Sequence, residues 1–427
     1  MLRFNRLTLF LALLSGTLAC GLFNVFIPTP KPLWTYSNPN FSPYYAPIKI
    51  SDNKLFTYQS GKSNEQQIAL IAVDPSNGQQ LWTPVPNGDL AIFESIIGNH
   101  AIFTGRVSDK VNEDGDPLFP IIAINLATGL EDWHYTGSVL DSGVTRSNDY
   151  LFIPKRHSQT DVIDVKTGAV VSTFTMQYAP AEIFDLNPGW IKYIYTDAAI
   201  YSLSPAGVLR QYDLKTVKLQ KTTPLDMPRY IQSAFIEANT LYVYSSAELD
   251  GDLNLLAYDL ETGQRLWGVK GLRGSAFGLE IYKGVGYLDT LNGPSALNLT
   301  TGKILWSVPS QLASFFISDA SNGNLLVAKN GALTAYDPSS GHKIWSRKTG
   351  LPNSLNVNAV DGVAFVTSAD NPPAFQYEYI PRQLDAIDIK TGKLIWRYEN
   401  SRVTLPVDAG DRVIVGYEGG VVGLPIR

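Results

Sequence analysis

Six times in this sequence an Asp or Asn is followed four residues later by Gly and four after that by Trp: Asp74/Gly78/Trp82, Asn125/Gly129/Trp133, Asp259/Gly263/Trp267, Asn298/Gly302/Trp306, Asp337/Gly341/Trp345 and Asp388/Gly392/Trp396. A unit that recurs in this way is one supersecondary element whose apolar face cannot be buried alone, so neighbouring units must stack to make a core. The Asp or Asn side chain can bond its own backbone two residues on, and the Gly supplies a positive φ, so the pair predicts a tight reversal between two strands. The Trp opens the strand after the turn, with a flat face to lay against the neighbouring sheet. An Ala two residues before each Asp or Asn (Ala72, Ala123, Ala257, Ala296, Ala335, Ala386) keeps that position small and predicts close approach of the sheets.

Measured from Gly to Gly, the intervals 129 to 168, 168 to 207, 263 to 302 and 302 to 341 are each 39 residues, while 78 to 129 and 341 to 392 are each 51. The basic unit is therefore 39 residues with insertions. Two weaker copies fall into register through this spacing: Asp164/Gly168, with Ser172 in place of Trp, and Ser204/Gly207, followed by a strand without Trp. A rival turn for that fourth unit, Asp213 to Val217, lacks the Gly.

Each unit reads as four meandering antiparallel strands. In the seventh these are Leu312 to Ser318, Asn324 to Lys329, Ala332 to Asp337 and His342 to Arg347. Sheets of this kind arranged radially make a β-propeller. Trp34 lies 48 residues before Trp82 as a stray outer strand, and Arg402 to Arg427 supplies three strands that stop where a ninth turn would begin. The two ends complement each other, which predicts a closing blade shared between them that removes the open edge of the array. The expected fold is thus all-β, a closed propeller of four-stranded blades, nine by this count and eight in the alternative. It spans residues 33–427 as a single domain.

Composition agrees. Aromatics make up 11% and charged residues 17%, and β-branched or aromatic runs such as KLFTYQ, TLYVYS and NLLVAK are bounded by Gly, Asn, Asp and Pro. The net charge of -5 becomes -7 if residues 1–19 are removed, because Arg3 and Arg6 leave and no acid does. An acidic chain of this kind disfavours nucleic acid as a partner. At the N-terminus, Arg3 and Arg6 precede an apolar run from Leu7 to Leu14, then Ser15-Gly16-Thr17-Leu18-Ala19 leads into Cys20, the sole cysteine. This resembles a lipoprotein signal over residues 1–19 with lipid attachment at Cys20, although Thr17 stands where Leu is usual. The alternatives are plain secretion and an uncleaved anchor helix reaching about residue 27, long enough to span a bilayer. In either anchored case the two arginines keep the N-terminus cytoplasmic and the remainder outside the cytoplasm. Residues 20–32, with Pro28, Pro30 and Pro32, then form a short stiff tether.

The signature in AYDLETGQRLW, ALNLTTGKILW and AIDIKTGKLIW resembles the pyrroloquinoline-quinone-like (PQQ-like) propeller repeat family. WD40 repeats would instead end in Trp-Asp after Gly-His. Together with the N-terminal segment, the chain resembles the propeller lipoproteins of the outer-membrane β-barrel assembly machinery, most of whose relatives have eight blades. That resemblance implies a membrane-tethered, extracytoplasmic, non-catalytic and monomeric scaffold for envelope proteins, with no cofactor. A PQQ-dependent dehydrogenase and a ligand-sensing propeller are the alternatives. Dehydrogenases sharing the repeat hold the quinone beneath a ring of two adjacent cysteines beside calcium, and this chain has one cysteine.

No metal site emerges from spacing. Asp250-x-Asp252-x-Asn254 with Glu261 imitates a calcium loop, but Leu255 stands where the turn needs Gly. Asn112-x-Asp114-x-Asp116 has Pro117 there. His100, His134, His157 and His342 lack zinc-site spacing. The informative irregularity is the insertions: Arg106 to Leu118, Ser246 to Asp252 and Ser368 to Gln383 lie between second and third strands, and Lys215 to Pro228 links two blades. First-to-second connections such as Ser51-Asp52-Asn53, Asn187-Pro188-Gly189 and Gly410-Asp411 are tight. One face is therefore decorated and the other trimmed, and the decorated face is the candidate partner surface. Its candidate contacts are the aromatic anchors Phe375, Tyr377 and Tyr379 and the acids Asp114 and Asp116.

Overall fold

The computed structural model describes residues 27–38, 49–51, 53–60, 68–82, 90–105, 119–137, 145–146, 149–155, 159–175, 192–196, 198–228, 230–246, 252–272, 279–290, 293–309, 316–318, 323–329, 331–349, 355–370, 380–400 and 403–427. They form nine four-stranded antiparallel blades arranged as a propeller. Blades 1 to 8 follow the chain at residues 49–82, 90–137, 145–175, 192–224, 230–272, 280–307, 316–348 and 355–399. Blades 5 and 6 are bridged by one extra pair, Leu272 with Thr290.

The ninth blade closes the ring as the sequence predicts. Trp34–Ser37 pairs antiparallel with Gly420–Pro425, which continues through Arg412–Tyr417 to Val407–Asp408. Side chains lock this blade to both neighbours. Trp34 Nε1 donates to Pro75 O at 3.0 Å and Arg412 Nη1 to Ser76 O at 2.5 Å in blade 1. Toward blade 8, Arg427 Nη2 donates to Asp361 O at 3.2 Å and Asn358 Nδ2 to Pro406 O at 2.9 Å.

The core is divided. Every blade interface carries its own cluster of buried apolar side chains, such as Phe56, Ala101, Phe103 and Ile124 between blades 1 and 2, and Val363, Phe365, Val413 and Val422 between blades 8 and 9. Second and third strands are sandwiched on both faces, which is why runs such as Val413–Val415 and Ala364–Val366 are apolar without alternation.

The repeated turn joins third and fourth strands. In each, the residue at the Gly position donates its N–H to the carbonyl of the Asp or Asn four residues earlier: Gly168 N to Asp164 O, Gly263 N to Asp259 O, Gly302 N to Asn298 O and Gly341 N to Asp337 O are all 2.8 Å. The side chain accepts from the next backbone groups, as Asp337 Oδ1 does from Ser339 N and Ser340 N, both at 2.9 Å. These hydrogen bonds hold the carboxyls of Asp74, Asp213, Asp259, Asp337 and Asp388 below the usual carboxylate range.

The Trp that follows lies on the next blade's turn. A Cβ at Gly168 would come within 2.6 Å of the Trp133 ring, one at Gly341 within 2.6 Å of Trp306, one at Gly392 within 2.6 Å of Trp345, and one at Gly78 within 2.5 Å of Trp34. At Gly302 the same test meets Trp267 at 2.6 Å. The indole N–H then donates to the carbonyl just after the turn Asp or Asn: Trp133 to Val165 O, Trp267 to Leu299 O, Trp306 to Pro338 O and Trp345 to Ile389 O, at 2.7 to 3.0 Å. The Ala of the signature is the direct cross-strand partner of the Trp, as in Ala257 with Trp267 and Ala386 with Trp396. Its small size leaves room for the indole on that face of the sheet.

Blade 4 corrects the sequence reading. Gly207 lies in the turn between second and third strands, Ala199–Leu203 and Val208–Asp213, and does not occupy the repeat position. The rival turn occupies it: Val217 takes φ of 52°, Val217 N donates to Asp213 O at 2.9 Å, and Asp213 Oδ1 accepts from Thr216 N at 2.7 Å. The 39-residue interval from 168 to 207 is thus coincidental. Leu219–Pro224 is the outer strand of the blade and not part of a linker, and its first strand is Lys192–Tyr195, so Asn187-Pro188-Gly189 precedes the blade.

Physical compensation explains the missing Gly. Blade 3 offers no indole, because Ser172 pairs with Val162 where Trp pairs with Ala elsewhere. Val217 and Leu214 instead pack on the Phe152, Val162, Ile200 and Tyr212 cluster. At the next interface Lys221 fills the Trp position and its ammonium donates to Glu261 O in blade 5, in place of an indole N–H. Gly263 therefore departs from the other turn glycines. It has φ of 72° like them, but a Cβ there would strike Thr223 Cγ2 and lie 3.1 Å from Pro224 O, so the outer strand of blade 4 covers it where an indole covers Gly168 and Gly302. We expect Ser172→Trp alone to destabilise the protein by about 1–3 kcal/mol through overpacking against Val217. Adding Val217→Gly should relieve at least about 1 kcal/mol of that cost, read as a coupling energy in a thermal or denaturant double-mutant cycle. Additivity of the two changes would contradict the account.

Candidate partner-binding surface

In a four-stranded meander the second-to-third and blade-to-blade connections leave from one face, and the first-to-second and third-to-fourth turns from the other. The carboxylate turns with their stacked indoles therefore define one face. The connections 106–118, 247–251 and 371–379 belong to the opposite one, since they join His100–Gly105 to Phe119–Asn125, Thr240–Ser246 to Leu253–Asp259 and Val363–Asp370 to Ile380–Asp388.

Asp114, Asp116, Phe375, Tyr377 and Tyr379 fall within these connections and lie outside the described residues, as does Cys20. The strands that carry the aromatic group are described. Val363–Asp370 and Ile380–Asp388 stay paired as far as Ala369 with Pro381 and Asp370 with Ile380, across an irregularity at Ser368/Ala369. Among the described residues the inner strand pairs as far as Ser368, and the outer as far as Gln383 with Asn400 N donating to Arg382 O at 3.1 Å beyond it. Among the described residues the pairs Ala369–Pro381 and Asp370–Ile380 thus form a short two-stranded stem at this end of blade 8.

Below the stem a buried ion pair fixes its root. Asp385 is fully buried, and Arg397 grips it with two hydrogen bonds, Nε to Oδ1 at 2.7 Å and Nη2 to Oδ2 at 2.9 Å, while Gln383 Nε2 donates to Oδ1 at 2.8 Å. The Asp385 carboxylate holds the guanidinium above its ordinary pKa. The sequence reading passed over this pair because Asp385 resembles any strand residue. Its signal is position, three residues before the turn Asp, on the sheet face opposite the indole.

The same position in blade 3 holds Asp161, which is also buried and accepts from Tyr135 OH at 2.5 Å, Thr173 Oγ1 at 2.6 Å and Lys155 Nζ at 3.1 Å. Burial and the Asp161 carboxylate push the Tyr135 hydroxyl pKa far up, so it remains a donor. Tyr135 belongs to blade 2, so this network ties two blades together.

Other polar groups serve the fold. His100 Nε2 lies 2.8 Å from Asp132 Oδ2, and Asn125 Nδ2 donates to the same oxygen at 2.9 Å and lowers the Asp132 pKa. His134 meets Glu131 at 2.9 Å. Asn254 and Leu255 are strand residues, as the mismatch with a calcium loop implies. Among the described residues no group of three or more His, Cys, Asp or Glu is placed to hold a metal ion. No helix among them is long and apolar enough to cross a membrane.

We expect Arg397→Leu to destabilise the protein by about 3–5 kcal/mol, because it strands the buried Asp385 charge. Asp385→Leu combined with Arg397→Leu should recover most of that loss in denaturant unfolding, and failure to recover would contradict the pairing.

The family model described as outer membrane protein assembly factor BamB matches residues 295–427, from the third strand of blade 6 to the C-terminus. Solved structures of similar fold include BamB from Moraxella catarrhalis, 13% identical with a TM-score of 0.49 over 80% of this chain and 97% of that one. The computationally designed Ika8 protein is 13% identical, with a TM-score of 0.49 over 92% and 99% of the two chains. A europium-containing methanol dehydrogenase is 13% identical, with a TM-score of 0.47 over 78% and 84%. Comparison with curated protein sequences gives no match. The PQQ-like repeat spelled by ALNLTTGKILW and AIDIKTGKLIW is thus matched over residues 295–427 by the barrel-assembly factor model, and the chain is a nine-bladed propeller resembling that family.

Proposed function

We propose that this chain is a membrane-tethered, extracytoplasmic and non-catalytic platform that binds protein partners in the cell envelope. The observation that carries this reading is the match of residues 295–427 to a model described as an outer membrane protein assembly factor. The N-terminal sequence supports it: cations, an apolar run and a lone Cys20 suit a tether by lipid or by an anchor helix. The rigid body supports it too, since a closed ring of sheets presents loops without deforming. Insertions between second and third strands give one face its individuality, and the connection 371–379 of blade 8, whose sequence contains Phe375, Tyr377 and Tyr379, is the proposed contact, together with the connection 106–118 of blade 2, whose sequence contains Asp114 and Asp116. The platform acts as a monomer.

The test is co-purification from envelopes of the native host with the full chain carrying Tyr377→Ala and Tyr379→Ala. Partner recovery should fall at least about tenfold, the loss of one hot-spot aromatic, while the melting temperature is unchanged. Unaltered recovery would move the binding surface elsewhere. Dye reduction by the purified chain after incubation with pyrroloquinoline quinone, calcium and an alcohol would overturn the non-catalytic part of the reading.

A further inference from the structure

The outer strands of the blades form the circumference of the ring, and their charge is unevenly spread. Those of blades 5 to 8 contain six cations (Arg265, Lys270, Lys343, Arg347, Lys348, Arg397) and one acid, Glu399; Arg397 is paired with buried Asp385 and Arg347 Nη1 donates to Gly392 O at 3.4 Å, which leaves Arg265, Lys270, Lys343 and Lys348 as the arc's outward charge. Those of blades 1 to 4 contain Lys221 against Glu131 and Asp132. The chain as a whole is acidic at -5, so the basic arc is set against the average.

Exposed aliphatic side chains stand among those cations. Leu266 (50% exposed), Leu305 (50%) and Ile344 (46%) each directly precede a Trp, as does Leu33 (52%) on the closing blade. The indole faces the next blade, so its predecessor is turned to the other side of the sheet, where the blades splay apart. Exposed aliphatics also occur at Leu81, Leu130 and Val171 on the acidic side, so apolar exposure alone does not select a direction.

The chain's own path does. Pro28 O accepts a hydrogen bond from Arg397 N at 2.9 Å, and Pro30 is buried, before the strand Trp34–Ser37 enters the closing blade. The segment that leads to the N-terminus therefore leaves the ring at the outer edge of blade 8, at one end of the basic arc, and not from the centre of either face.

We propose that the circumference of blades 5 to 8 rests on an anionic lipid surface, so that the ring stands edge-on to the membrane; this rests on the tethered reading above. Lysine and arginine stems lie along the aliphatic side chains while their heads reach lipid phosphates. Each cation near such a surface adds to the attraction, and the two ends of the segment Pro28–Leu33 hold the arc at short range. Edge-on seating leaves both faces, including the decorated one, open to partners.

Hydrogen exchange on the full chain incorporated into vesicles tests this, with phosphatidylglycerol-containing membranes compared with pure phosphatidylcholine. Exchange in peptides covering 304–307 and 343–348 should slow at least about threefold in anionic vesicles only, with no change in 131–137. The charge-reversed chain Arg265→Glu, Lys343→Glu, Lys348→Glu should stay with the vesicles and lose that slowing, with an unchanged melting temperature. Equal slowing around the ring, slowing indifferent to lipid charge, or none while the chain remains vesicle-bound would overturn the edge-on seating and leave the tether intact. A full chain that fails to associate with either vesicle would overturn both.

Discussion

The contact on which the structure depends is an indole laid flat on a residue without Cβ. The Trp of one blade covers the turn Gly of the next and donates its N–H to the carbonyl just after the turn Asp or Asn, so one side chain supplies both packing and a directional bond. Because the acceptor is a backbone group already fixed by the Asx turn, each blade is oriented by the preceding one. Repetition of that geometry carries the chain around the ring, and the buried clusters at each interface follow from it.

Two indoles mark the limits of this rule. Trp396 precedes the closing blade, which has no Asp-to-Gly turn, and its Nε1 is buried without a hydrogen-bond partner among the described residues. The neighbouring interface is held by Phe365, Val413, Val422 and the Arg427 bond to Asp361 instead. Trp82 stacks on Gly129, and its Nε1 also lacks a described partner. A buried, unmet N–H costs free energy, so these interfaces depend more on apolar packing than the others do.

Much of the fold was legible because each repeat carries its own punctuation. Asp, Gly and Trp at fixed spacing disclose turn, strand and interface together, and Trp34 disclosed closure because an unpaired outer strand needs three partners. Blade 4 was misread where the punctuation gives way. Val217 replaces Gly and Lys221 replaces Trp, and the loss of one residue permits the loss of the other only in three dimensions, where Ser172 of blade 3 removes the ring that would strike Val217. Gly263 shows the same limit from the other side, since its sequence context matches that of Gly302 while its neighbour across the interface is Thr223 and not an indole. The candidate surface was less legible for a related reason. Asp385 and Asp161 are recognisable only once the sheet face opposite the indole is known, whereas connections such as 371–379 show length and composition in the sequence but not what they bind.

The ring gives a division of labour between turns that hold blades together, one face that varies, and a circumference that is basic on one side. All of this presupposes that the indole contact, and not merely the left-handed turn, fixes neighbouring blades. Two glycines separate these contributions. Gly284 and Gly341 both have positive φ, 76° and 70°, but a Cβ at Gly284 meets nothing within 4 Å while one at Gly341 comes within 2.6 Å of Trp306. Denaturant unfolding of Gly284→Ala should show the backbone cost alone, about 1–2 kcal/mol, and Gly341→Ala should lose a further 1–3 kcal/mol, roughly an overpacking penalty. Equal losses in the two variants would contradict the account.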